Sequence, residues 1–319
     1  DQMNLLAAHV TAPAFTDEAD ARYRRRLKAW YPTHDASPNS VVAKKVPRLI
    51  RSGDARYGYE DLESLLAPKI DDVRSWVNPQ FENGLIEITV VGDVEKQAVI
   101  DQVARTFGAL DQRPDAKQMR PAARQLAFPA GRAEPVKYYH RGNDDQAIVR
   151  VYWPAPDASE RRDKYRMSVL RSIFRNALTD ELRERMGATY SPGAGAFSND
   201  LFDGYGYIFA NVTVDPAKAD IVRDAVSKVG ETLSEGAIKE DDFRRAVQPI
   251  VKDLESTLEN NSYWMNVLRD AQTSGHGLAD FRVREKTYRG MTLAEVNALA
   301  KSTFKRGDAL SVYVLPKPE

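Results

Sequence analysis

Apolar and polar positions recur along this chain with two periods, one near 3.6 residues and one of about 2, and the blocks they form predict its elements. Residues 3–10 suit the end of a helix broken at Pro13, and Thr16-Asp17-Glu18 opens a basic helix through residues 21–30. Its Arg24-Arg25-Arg26 run reads as a solvated helix face. Residues 31–60 are rich in Pro, Ser, Gly and Asp, which predicts loop with a short helix around residues 42–50. Residues 61–66 and 70–77 read as short helices separated by Pro68. Residues 85–91 form a β-branched run ending in Gly92-Asp93 and predict a strand. Asp93 is then expected to cap a helix carrying Ile100, Val103 and Phe107 on one side.

Residues 111–133 lose all periodicity and gather three prolines, the signature of a linker. Beyond it, residues 135–141 and 146–153 read as strands. Residues 157–160 open a long helix with Met167, Leu170, Phe174, Leu178 and Leu182 on one side. Residues 189–197 are small and glycine-rich, with Pro192 among them, and are best placed at a sheet edge. Tyr205, Tyr207, Phe209, Asn211 and Thr213 alternate with small and apolar partners, a strand whose aromatics suit cross-strand packing. Two helices follow at 216–234 and 239–273, the second bent at Pro249, and Tyr263 and Trp264 are expected to cover a helix junction. Thr292-Leu293-Ala294-Glu295 is a capping box for a last helix, and residues 310–315 close the chain as a strand.

The two ends match each other. Asp72 to Trp76 followed by the run at Leu85 parallels Glu295 to Leu299 followed by the run at Leu310, offset by 223 and 225 residues. The charged helix starts at Thr16 and Lys239 are also 223 apart. One order at one offset indicates an internal repeat. Residues 1–115 then read as the second half of a unit and residues 116–319 as a complete one, which implies further sequence ahead of Asp1 to cover the half unit's sheet.

Composition narrows the chemistry. The 46 basic and 46 acidic residues cancel, so no overall field draws the chain to nucleic acid or to an anionic membrane surface. No run of 18 apolar residues offers a transmembrane helix. The absence of cysteine removes disulfides, thiolate metal sites and Cys nucleophiles. The four histidines, His9, His34, His140 and His276, lack any helical pairing at i+3 or i+4 and read as lone surface residues. No Gly-x-Ser-x-Gly elbow or phosphate-cradling loop occurs, and Arg306-Gly307-Asp308 is explained as a turn.

What remains is Thr179 to Pro192, where a helix ending near Gly187 passes directly into the small-residue strand. Its Leu182-Arg183-Glu184, Gly187 and Tyr190-Ser191 resemble the hallmark of the C-terminal lobe in the insulinase/pitrilysin zinc peptidases, the group that includes the mitochondrial processing peptidases. Residues 86–110, the alternating strand, Asn260-Asn261-Ser262-Tyr263-Trp264 and residues 5–15 extend the likeness toward the large bacterial periplasmic members. The resemblance implies an α/β fold (an α+β sandwich) of repeated units, each a mainly antiparallel sheet packed with helices, facing one another across a closed chamber. It implies that the zinc, with its His-x-x-Glu-His motif, belongs to a missing N-terminal unit or a partner subunit, so this chain carries no cofactor. It implies peptide-holding roles for Arg183 and Tyr190, chamber wall as the chain's contribution, and a periplasmic or secreted setting.

A guanidinium and a phenol seven residues apart at a helix–strand junction suit donation to a peptide carbonyl and its developing oxyanion. They equally suit plainer roles, Arg183 capping the helix and Tyr190 packing with its hydroxyl at the surface. On this reading the expected partners are a peptide substrate and the N-terminal half of the same protein or a zinc-bearing subunit, without nucleic acid or membrane. The alternative is a non-catalytic scaffold or binding subunit of the same fold.

Overall fold

The computed structural model describes residues 2–116, 120–185, 192–269, 271–273, 277–305 and 307–318. The chain forms two compact units, each assembled from separated stretches: residues 1–30, 60–119 and 254–283 in the first, and 31–59, 120–253 and 284–319 in the second. In chain order the helices are α1 (Gln2–Thr11), α2 (Asp17–Trp30), α3 (Pro38–Leu49), α4 (Leu62–Leu66), α5 (Ile70–Asn83), α6 (Lys96–Arg105), α7 (Arg161–Thr179), α8 (Ala219–Ser234), α9 (Glu240–Thr257), α10 (Asn261–Leu268), α11 (Gly277–Arg289) and α12 (Leu293–Thr303). The strands are β1 (Val136–His140), β2 (Ala147–Ala155), β3 (Gly193–Ser198), β4 (Gly206–Val214) and β5 (Leu310–Pro316).

The first unit is helical. Thr16 accepts from the Ala19 amide at the start of α2, and Asp61 and Asp72 satisfy the first amides of α4 and α5. Arg24 is not left to solvent: it pairs with Asp20 and donates to the Leu66 and Pro68 carbonyls, pinning α2 to the end of α4. Residues 85–91 form no strand, against expectation. A β-branched run needs a ladder partner, and none exists among the described residues of this unit. Side chains hold it instead, Thr89 donating to the Leu268 carbonyl and Glu87 accepting from the Gln272 amide and the Thr273 hydroxyl. Asp93 does not cap α6 either; Glu95, next to the helix, accepts from Gln97. The long helix expected over 239–273 is two, because Asn260 turns its side chain onto the Ser262 amide and starts α10 afresh. Trp264 covers that junction, its indole N–H on the Leu258 carbonyl and its ring 5.0 Å from Phe281.

The second unit is an α+β sandwich on a five-stranded sheet of order β1-β5-β2-β4-β3. All pairings are antiparallel except β1 with β5. The two strands first met along the chain, β1 and β2, are separated by β5, the last one. β2 is buried on both faces and reads as an almost continuous apolar run. On one face Val149, Val151 and Trp153 meet α7, α8 and α12; on the other Ile148 and Tyr152 meet Val41, Val42, Val46 and Ile50 of α3 and its end. Met167, Leu170, Phe174, Leu178 and Leu182 are all buried, as the helical spacing demands. Thr292 and Glu295 close the expected capping box.

α3 spans β1, β5 and β2 but stops short of the far half of the sheet. In β4 burial therefore alternates: Ile208, Ala210 and Val212 are sealed against the helices, while Tyr207, Phe209 and Asn211 are half-exposed. Tyr205, at the start of this strand, is buried and donates its hydroxyl to the Ile50 carbonyl at 2.8 Å, tying α3 to the sheet. Tyr205→Phe strands that carbonyl and is expected to cost about 1 kcal/mol of stability, read from the urea midpoint. An unchanged midpoint would show that the bond contributes nothing net.

Candidate functional site

The exposed half-face of the sheet begins at its edge. β3 pairs with β4 on one side; on the other its backbone makes no hydrogen bond among the described residues. Small residues make this edge flat. Gly195 lets the Phe209 ring fold over it, since a Cβ there would run into that ring and push it aside. Gly193 differs, because among the described residues a Cβ there would meet only the Asn211 carbonyl, at 3.7 Å. Phe197 stacks on Tyr207 at 5.4 Å, and Phe209 stacks on Tyr152 at 5.0 Å, giving the face an aromatic floor.

Two guanidiniums sit on that floor. Arg51 is buried, 3.9 Å from the Tyr57 ring centroid, with Nη1 on the Pro47 carbonyl and Nε without a hydrogen-bond partner among the described residues. Arg150 is half-exposed, its Nε on Asn211 Oδ1 at 2.6 Å and its Nη1 on the Tyr152 hydroxyl at 3.0 Å. Burial pushes the Tyr152, Tyr205 and Tyr207 phenols above their ordinary pKa, with the neighbouring arginines opposing the rise, so all three remain protonated near neutrality.

Arg183 lies on the single π-helical turn Asp180–Arg185 that prolongs α7, and its side chain is exposed. Tyr190, the other residue singled out in the sequence, lies outside the described residues, as does His276. Against the helices, the same turn borders a cavity of about 620 Å³ whose wall includes Asp180, Glu181, Lys228, Lys239 and Asp242. Both acids and bases line it, so it favours no charge class.

The histidines correct the sequence in one respect. His140 is fully buried, not a surface residue: its Nδ1 accepts from the Gly142 amide at 3.0 Å and its Nε2 donates to the Gln146 carbonyl at 2.8 Å. It closes the turn between β1 and β2, and with both ring nitrogens engaged it is not available as a ligand. His34 packs edge-on against Tyr59, and His9 bonds the Leu5 carbonyl.

A family model described as the peptidase M16 inactive domain matches residues 69–250, more than half of the chain. The chain belongs to the peptidase M16 inactive-domain family. Among curated proteins this M16 inactive domain is similar to the chloroplastic stromal processing peptidase of Arabidopsis thaliana, 21% identical across 81% of this chain and 24% of that protein. It thus spans about a quarter of the length of the curated relatives it matches. Among solved structures it is similar to a protease from Helicobacter pylori, with a TM-score of 0.79, 15% identity and coverage of 99% of this chain and 76% of that one. It is also similar to the periplasmic protease PqqL from Escherichia coli, with a TM-score of 0.71, 16% identity and coverage of 95% and 33%. At such identities the likeness is one of fold.

Among the described residues, the donor set of the M16 inactive domain does not suit a metal centre. Its sequence contains neither His-x-x-Glu-His nor His-Glu-x-x-His, and among the described residues no group of three or more His, Asp or Glu side chains could hold a metal ion. These residues do not fit a catalytic zinc, which needs three converging protein ligands.

Proposed function

We propose that this chain is the zinc-less, non-catalytic part of an M16-type zinc metallopeptidase, in which its second unit forms chamber wall and holds the peptide being cut. The observation that carries this reading is the outer edge of β3, unpaired among the described residues, beside a half-open aromatic face, a surface on which an extended peptide can add as a further strand. Zinc and bond cleavage belong to a different unit, on the same polypeptide or on a partner subunit. Residues 1–115 and 116–319 are, on this reading, half and whole copies of one repeated unit. The likeness to a periplasmic protease supports a periplasmic or secreted setting. Among the described residues no helix is long and apolar enough to cross a membrane.

Arg183 and Tyr190 act here as donors to the bound peptide's carbonyl. Each would supply a hydrogen bond to a group that gains negative charge during cleavage, without taking or giving a proton. In the intact peptidase, Arg183→Gln or Tyr190→Phe is expected to lower kcat/KM on a fluorogenic peptide about tenfold, the loss of one such bond. Wild-type turnover in either variant would remove that residue from the role.

A further inference from the structure

The exposed face contains a charge that the fold does not answer. Arg150 forms no ion pair with any described residue, and Nη2 of its guanidinium has no hydrogen-bond partner among them. The other half-exposed basic side chains on helices α2, α7 and α8 behave differently: Arg24, Arg162, Arg166 and Arg223 each have a carboxylate within 2.9 Å. A guanidinium without an anion, its Nη2 open to solvent, is inviting to an incoming carboxylate.

Register shows where that carboxylate would arrive. Arg150 is opposite Asn211 of β4, and Asn211 is opposite Gly193 of β3. The three positions form one row across the sheet, running from β2 to the open edge. Arg150 leans along this row, because its Nε is fixed on the Asn211 side chain, and the Phe209 ring 5.1 Å from the guanidinium carbon supports it from one side. At the end of the row Gly193 has no side chain, and among the described residues only the Asn211 carbonyl would come within 4 Å of a Cβ there. Strands are spaced at about 4.8 Å, so a peptide added to β3 lies roughly 10 Å from β4. A glutamate side chain laid across Gly193 covers about half of that distance, roughly one strand spacing, and the Asn211 and Arg150 side chains reaching over β4 from the other side would meet it; the shorter aspartate stops farther away.

We propose that Arg150, with Asn211 as its support and Gly193 as the passage, is a specificity-determining site that selects an extended peptide carrying a glutamate where it crosses the β3 edge. This deepens, and rests on, the reading that β3 holds peptide. The occupant is set by charge complementarity: a neutral peptide satisfies the edge equally well but leaves Nη2 of Arg150 unanswered.

The test uses the 319-residue chain and two fluorescein-labelled peptides of identical Thr/Val/Ser sequence, one with a central Glu and one with a central Gln, titrated by fluorescence anisotropy. The Glu peptide is expected to bind about tenfold more tightly, the worth of one charge-assisted hydrogen bond, with the preference shrinking as salt is raised. Arg150→Gln should bring the ratio of the two affinities to about one, whereas Arg150→Lys, which keeps the charge but not the fork, should retain part of it. Because the readout is a ratio on each protein, a general loss of folding does not imitate it. Equal binding of both peptides by the wild-type chain, or an undiminished preference in Arg150→Gln, overturns the specificity site while leaving peptide holding intact. Absence of binding by either peptide removes the holding role and this inference with it.

Discussion

Trp153→Ala is expected to destabilise the second unit by about 3–5 kcal/mol, the range for a large aromatic removed from a rigid core. Trp153 is only 3% exposed and stands edge-on to Phe174 at 5.7 Å and to Phe304 at 5.2 Å. These rings come from the central strand, from α7 and from the residue that ends α12, so one side chain links three elements. α8 approaches so closely that a Cβ on Gly230 would lie 3.0 Å from the indole. The site has little freedom to collapse, since the surrounding backbone is fixed by the sheet ladder and by three mutually packed helices. Urea unfolding followed by near-UV circular dichroism reports this change directly. Trp76, 77% exposed in the first unit, supplies the contrast, and Trp76→Ala should stay within about 0.5 kcal/mol of wild type. A cost below about 1.5 kcal/mol for Trp153→Ala would mean that neighbouring rings refill the space.

Much of this unit is legible in the residue pattern alone. The alternation around Tyr205, the apolar side of α7, the capping box at Thr292 and the edge position of β3 are local signals, and tertiary packing agrees with each. Residues 85–91 show the limit of that approach. Their β-branched character is real, but a strand is a relation between two segments, and no ladder partner is present among the described residues of the first unit. His140 shows another limit: nothing local distinguishes a histidine that closes a buried turn from one at the surface. α3 begins earlier than expected, with Ser37 accepting from the Ser40 amide and Pro38 opening the first turn, because the loop-like composition of residues 31–60 hides its length.

The functional surface divides in the same way. Arg183 is visible because a motif surrounds it. Arg150 is not, because an arginine inside a strand of valines is ordinary until the register shows Asn211 and Gly193 beside it. No sequence signal short of the strand pairing itself joins residues 150, 193 and 211.

Glu295→Gln should reduce stability by about 2 kcal/mol at pH 7, and that cost should fade in acid. Glu295 completes the α12 capping box, accepting from the Thr292 amide and hydroxyl at 2.9 Å, and it also receives Arg162 and Arg166. Burial by itself would raise its pKa, but the Thr292 amide, Arg166 and Arg162 outweigh burial and hold the carboxyl at about 2, against 4.5 in an unstructured chain. A carboxyl whose pKa is lowered by folding stabilises the fold above its unfolded value, and that stabilisation disappears as pH falls through the folded value. The gap between wild type and Glu295→Gln should therefore be constant from neutrality to about pH 5 and narrow from there toward pH 2. Two features keep the cost below the roughly 3–5 kcal/mol of a broken buried ion pair. Arg162 is 42% exposed and screened by water, and Arg166 keeps a second partner in Asp163 at 2.8 Å. The glutamine oxygen can still cap Thr292, so what the pH series isolates is the ionic share. If the gap does not change between pH 7 and 3, the charge contributes nothing and the capping geometry alone accounts for the loss.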